Sequence, residues 1–205
     1  MRRAVWIDGW WRHARRVASP NFNRRPSGER IALAVVHSIS LPPGLYGGDA
    51  VERFFTNRLD HGAHPYFESL RERRVSAHFF VRRDGRVVQF VSCDERAWHA
   101  GVSSWAGHGQ CNDYSIGIEI EGLEGQTFEP AQYAALAHLL RSAARRYPID
   151  AVVGHEHIAP GRKGDPGCGF DWRGLRLRLP WPTHALAPIG VPRAMSGSPH
   201  GVRYR

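Results

Sequence analysis

The run Ile31-Ala32-Leu33-Ala34-Val35-Val36 is apolar at every position. A strand of that kind has no face for water, so it belongs in a sheet covered on both sides. Ala151-Val152-Val153 is a second short apolar run. Ser115 to Glu121 alternates, with three isoleucines on one face and Glu119 and Glu121 on the other. Val75 to Arg82 also alternates, placing Val75, Ala77, Phe79 and Val81 on one side. Asp84-Gly85 then signals a hairpin, with Val87 to Val91 as its return strand. Pro130 opens a predicted helix reaching about Tyr147, because Tyr133, Leu136, Ala137, Leu140 and Ala144 recur at helical spacing and Pro148 stops it. Asp49 is placed to cap a short helix carrying Val51, Phe54 and Phe55. A last helix is expected over Phe170 to Leu179. The first thirty residues, rich in Trp, Arg and turn formers, read as an irregular lead-in. The pattern predicts an α/β (α+β) fold, a central mixed β-sheet flanked by helices.

With 205 residues and 42% apolar content, the chain can build one substantial core, drawn here at residues 1–181. Residues 182–205 are Pro-rich and carry no acidic side chain, and they are expected to form a disordered tail. No apolar run approaches the ~18 residues of a membrane span. Met1-Arg2-Arg3 could begin an export signal. However, Asp8 interrupts the apolar stretch and Arg12, Arg15 and Arg16 follow, so the expected location is cytoplasmic. Cys93, Cys111 and Cys168 are too scattered for a disulfide framework; Cys93 and Cys111 read as small buried residues. Lys and Arg total 28 against 19 acidic residues, a formal charge of +9. The arginines are spread along the chain, a pattern that suits an acidic small substrate better than nucleic acid.

The chemistry gathers in His155 to Gly167, which places an imidazole, an amine and a carboxylate in one loop after the apolar run at 151–153. His37 ends the other apolar run. Neighbouring strands lie ~5 Å apart, so two strand ends can bring both rings to one ion. Asp165, in a Gly164-Asp165-Pro166-Gly167 turn, can close a third side. Two imidazoles and a carboxylate, with a fourth position left for water, are the donor set of a catalytic Zn2+ site. Cys168 is a rival third ligand, and His157 and His78 compete by the same logic, although His78 fits an ordinary hydrogen-bonded role. Glu119 is either a buried general base for the water or a solvent-facing glutamate on an edge strand. Lys163, the only lysine in the chain, is either an oxyanion-stabilising cation or a plain surface residue.

Several segments together carry a family resemblance. They are Ser19 to Phe22, Val36 to Gly44, Arg74 to Phe79, Arg96 to Gly101, Cys111 to Gly122 and His155 to Gly167. In these the chain resembles the zinc N-acetylmuramoyl-L-alanine amidases of the amidase-2 class, which share a fold with the T7-type lysozyme amidases and the peptidoglycan recognition proteins. The likeness is nearest to the cytosolic branch acting on 1,6-anhydromuramyl-L-alanine. The resemblance implies His37, His155 and Asp165 as zinc ligands, since the third ligand of the class directly precedes Pro-Gly. It implies Glu119, not Glu121, as the catalytic glutamate and Lys163 as its catalytic partner. Arg74, Arg162, Ser38 and Trp98 fall at substrate-binding positions, and arginine suits a carboxylate-bearing stem peptide. Ser38 stands where close relatives commonly have Asn, and His157 and Gly161 also depart from the usual loop. The implied partner is an anhydro-muropeptide, met by a monomer without nucleic acid or membrane insertion. The implied reaction is hydrolysis of the amide between (1,6-anhydro-)N-acetylmuramic acid and L-alanine in cell-wall recycling. The alternatives are a non-catalytic peptidoglycan-fragment-binding module, which would usually lack a full ligand set, and an arginine-driven nucleic-acid binder.

Overall fold

The apolar run lies second from one edge of a six-stranded sheet in the computed structural model, which describes residues 4–179. The strands are β1 (Arg15–Arg16), β2 (Leu33–Ile39), β3 (Phe79–Val81), β4 (Val87–Gln89), β5 (Ser115–Glu121) and β6 (Ala151–Gly154). Their order is β6-β2-β5-β3-β4-β1. β6, β2, β5 and β3 run parallel, β3 and β4 form the antiparallel hairpin, and β1 joins β4 in parallel. The expected mixed sheet flanked by helices is therefore present. Among the described residues five α-helices accompany it: α1 (Ala50–Phe55), α2 (Pro65–Glu68), α3 (Pro130–Ala144), α4 (His155–Ile158) and α5 (Trp172–Arg178).

Strand alternation sorts the core into two faces. Ala34 and Val36, Phe79 and Val81, the three isoleucines of β5 and Val152 pack with Leu136, Leu139 and Leu140 of α3. The opposite face carries Leu33, Val35, Ala151 and Val153 against Tyr114 and Ile158. Farther along that face, Phe80 and Val88 meet Phe54 and Phe55 of α1. α3 begins at a capping box in which Gln132 reaches back to the Glu129 backbone, with Pro130 in its first turn. Asp171 caps α5 by accepting from Gly174 N at 2.7 Å. Asp49 precedes α1 but makes no side-chain cap bond; its carboxylate pairs with Arg53 instead.

Several boundaries differ from expectation, each for a physical reason. β2 continues through His37 to Ile39 because β5 keeps pairing with it as far as Glu121. β3 is shorter than the alternation suggested. At Ser76 the backbone turns to Trp98 O and the hydroxyl to Asn21 O, so Val75 and Ala77 pack with Phe80 rather than Phe79. α3 ends at Ala144, and Tyr147 beyond it stacks edge-on against Trp6. The lead-in is less irregular than read, since it contributes β1 and short ladders at Trp6–Ile7 with Trp10–Trp11 and at Phe22–Asn23 with Arg96–Ala97. Cys93 and Cys111 are buried, as read. No helix among the described residues is long and apolar enough to cross a membrane. The tail at 182–205 lies outside the described residues.

His78 takes the structural role expected of it. Its Nδ1 accepts from Gly117 N at 3.0 Å, so the ring is neutral with its proton on Nε2, which lies 3.0 Å from Glu95 O and 3.1 Å from Arg25 Nη2. Burial, then the nearby Arg25 guanidinium, lowers its pKa from 6.5 to about 3. An unfolded chain binds this proton below 6.5 and the folded chain does not. The neutral ring's contribution is therefore intact above 6.5 and fades as pH falls towards about 3. NMR of labelled histidine is expected to show an uncharged His78 at about pH 5; titration near the ordinary value would contradict the packing.

Candidate metal centre and active-site cleft

Parallel pairing of β2 with β5 sets Glu119 directly beside His37, on the face away from α3. His155 opens α4 immediately after β6, the other neighbour of β2. The loop beyond α4 returns, and Glu156 N donates to Asp165 O at 3.0 Å, bringing the Asp165 carboxylate under both rings. His37 Nδ1 and His155 Nδ1 are 2.9 Å apart. Asp165 Oδ2 lies 3.3 Å from the first and 3.2 Å from the second. Tetrahedral bonds of ~2.0–2.1 Å imply ligand–ligand edges of ~3.3 Å, so these atoms already occupy three corners of such a polyhedron. All three residues are buried and form a group able to hold a metal ion. The site sits at the carboxyl ends of parallel strands, where open sheets commonly place ligands.

The tautomers suit metal binding. His155 Nε2 lies 3.1 Å from Ala100 O, a pure acceptor, so Nε2 carries a proton and Nδ1 is the nitrogen turned toward His37 and Asp165. Burial and the adjacent His155 lower the His37 pKa to about 4, leaving that ring neutral at neutral pH. Burial pushes the Asp165 carboxyl up, but the neighbouring His155 and His37 rings outweigh it and hold the group below the usual carboxylate range. A divalent cation requires neutral imidazoles and an ionised carboxylate.

A cleft of about 430 Å³ opens over this group. Glu119 lines it at 8% exposure, and its Oε2 has no hydrogen-bond partner. Burial, then the Asp165 charge, raises its pKa well above the ordinary value, while Lys163 opposes the shift. β5 is central, so the edge-strand alternative for Glu119 does not hold. Glu121 is committed elsewhere, accepting from Gly47 N at 2.7 Å and Arg83 N at 3.0 Å. Lys163 is exposed on the cleft wall. Ser38 and Trp98 line the cleft as well; the Ser38 hydroxyl is buried without a partner, and Trp98 Nε1 donates to Asn23 Oδ1 at 2.7 Å.

The two arginines stand apart from these. Arg162 donates to Ala100 O at 2.7 Å and Val102 O at 2.6 Å, sharing the carbonyl that orients His155. Arg74 is exposed and bonded to Arg71 O and Arg73 O, while Arg73 lines the cleft in its place. Of the rival ligands, Cys168 is exposed, and His157 turns its Nδ1 to Gly154 N and packs on Trp172. The sequence reading passed over His99, whose Nδ1 lies 2.9 Å from His37 Nε2. No spacing rule marks a residue that touches a ligand from behind; only contact in space shows it.

The matching family model, described as N-acetylmuramoyl-L-alanine amidase, covers residues 27–168, and the chain belongs to that family. The 1,6-anhydro-N-acetylmuramyl-L-alanine amidase AmpD of Citrobacter freundii is 49% identical over 179 residues, covering 86% of this chain and 96% of that protein. The crystal structure of a selenomethionine AmpD derivative matches with a TM-score of 0.83 and 49% identity, covering 86% of this chain and 99% of that one. The Escherichia coli amidase AmiD, solved with anhydro-N-acetylmuramic acid-L-Ala-D-γ-Glu-L-Lys as substrate, is 32% identical with a TM-score of 0.54, over 78% of this chain and 63% of that one.

His155→Ala or Asp165→Ala is expected to weaken divalent-metal binding by more than the ~10–100-fold typical of an outer-shell change. Glu119→Gln is expected to leave it near the wild-type value. Chelator competition on the purified proteins measures both, and a wild-type chain that retains no metal would contradict the assignment.

Proposed function

We propose that the chain is a zinc hydrolase that cleaves the amide between 1,6-anhydro-N-acetylmuramic acid and the L-alanine of a stem peptide, acting as a cytoplasmic monomer in cell-wall recycling. The observation that carries the mechanism is the Glu119 carboxylate, buried without a partner for Oε2 and in register beside His37 on the cleft floor. A buried carboxylate atom left without a bond is unfavourable, and a reacting water would supply what it lacks. Nearness to AmpD and to the substrate-bound AmiD supports the choice of substrate.

His37, His155 and Asp165 would hold the ion, and three protein ligands of this type suit zinc with one position left open. When bound, zinc supplies a Lewis acid for the scissile carbonyl and lowers the pKa of the attacking water. Glu119 Oε2 takes the proton from that water and later delivers it to the leaving alanine nitrogen. Lys163 Nζ, on the cleft wall, faces the oxyanion that develops on the carbonyl oxygen. Ser38 and Trp98, on the cleft lining, are assigned to substrate binding. The formal charge of +9 draws a peptide bearing several carboxylates toward the cleft, with Arg73 on its lining.

Purified protein incubated with anhydro-muropeptide should release free sugar and free peptide, and a chelator should stop this until zinc is returned. Glu119→Gln should fold and keep its metal while turnover falls ~10²–10⁴-fold. Lys163→Ala should lose ~10²–10³-fold in kcat. Chromatography of the products measures each rate, and near-normal turnover in Glu119→Gln would remove the general-base assignment.

A further inference from the structure

We infer that His99 is a positioning residue for the metal centre: its Nδ1 accepts a hydrogen bond from His37 Nε2–H and, through Ser115, fixes the direction of a buried N–H···N–H···O relay that holds the His37 ring in its metal-binding orientation. This rests on the reading of His37 as a ligand.

The relay follows from the geometry. His37 turns Nδ1 toward His155 and Asp165 and Nε2 away from them, 2.9 Å from His99 Nδ1. A neutral ring that offers its Nδ1 lone pair to a cation carries its proton on Nε2, so His99 Nδ1 must accept. His99 then bears its own proton on Nε2, which lies 3.1 Å from the Ser115 hydroxyl oxygen. The opposite tautomer of His99 would point two N–H groups at each other across 2.9 Å. Ser115 can accept or donate, so it accommodates the only sense the chain allows.

Two further features keep His99 in place. Asn112 Oδ1 accepts from His99 N at 3.1 Å and from Ala100 N at 2.8 Å, clamping the backbone of both residues. Ala100 O in turn orients His155, so one clamped dipeptide serves both imidazole ligands. Gly117, in the middle of β5, lies beneath the His99 ring, and a Cβ there would collide with the ring atoms. A glycine inside a central strand weakens it, and here it makes room for the imidazole.

The experiment measures zinc affinity by chelator competition, with metal-free folding followed by circular dichroism. His99→Leu removes the acceptor and is expected to bind zinc ~10–100-fold more weakly while staying folded. His99→Asn, whose Oδ1 falls near the lost Nδ1, should recover most of that affinity. Gly117→Ala, which displaces the ring without deleting it, should resemble His99→Leu. A folded His99→Leu with wild-type zinc affinity would overturn the inference, whereas a wild-type chain that binds no zinc would instead sink the ligand assignment beneath it. A measurement on the unaltered zinc-loaded protein covers the case in which the variants do not fold. NMR of 15N-histidine should show a scalar coupling across the His37 Nε2–H···Nδ1 His99 bond, and its absence would likewise overturn the relay.

Discussion

The register of β5 against β2 is the constraint on which the site depends. It sets Glu119 opposite His37, and the parallel sense places both near the carboxyl end of the sheet, beside His155 at the end of β6. Because side chains alternate along a strand, a slip of one residue would exchange Glu119 for an isoleucine and turn His37 into the α3 core. The isoleucines of β5 and the leucines of α3 resist that slip, since each would have to give up its apolar surroundings. Packing on one face thereby sets the chemistry on the other.

Bringing two imidazoles and two carboxylates together below the surface requires that most of their polar atoms be satisfied. Much of that support comes from chain far from the sheet ends. Arg25, in the lead-in, donates to the carbonyls of Cys93, Asn112, Asp113 and Ser115. It thus ties down the stretch that carries the Asn112 clamp and the start of β5. Asn112 holds His99 and Ala100, and these two meet the outer nitrogens of His37 and His155. Against this background the few buried atoms without partners stand out. Glu119 Oε2 and the Ser38 hydroxyl both belong to residues lining the cleft, where a substrate and a water have bonds to offer.

Much of the fold was legible. β5 matches the alternating segment end to end, α5 begins after its capping Asp171, and the hairpin falls at Asp84-Gly85. The misses came where tertiary bonds overrode periodicity. Val75 to His78 has the alternation of a strand, yet its backbone pairs with Trp98 and Gly117 rather than continuing one ladder. The lead-in, rich in arginine and turn residues, gave no sign that Arg15–Arg16 would extend the sheet. Around the site, residue type indicated His37, His155, Asp165 and Glu119 but left rivals such as Cys168 and His157, and it was the family resemblance that singled out the set. Arg74 and Arg162 illustrate the limit of such reading, because a long side chain can leave a cleft by rotating about its own bonds, and here both guanidinium groups bond to backbone carbonyls.

By itself the sequence determined the layered fold and the donor types that meet at the ends of its apolar strands, because both follow from local order: hydrophobic period, turn residues and motif spacing. Only the tertiary structure decided which nitrogen of each imidazole faces the Asp165 carboxylate, which of two neighbouring glutamates stays unbonded, and which distant residues brace the two rings. Those outcomes depend on contacts between segments tens of residues apart, such as His37 with His99 and Gly47 with Glu121. Hydrogen-bond direction and burial arise only once such segments meet, so nothing in the order of residues along one strand can express them.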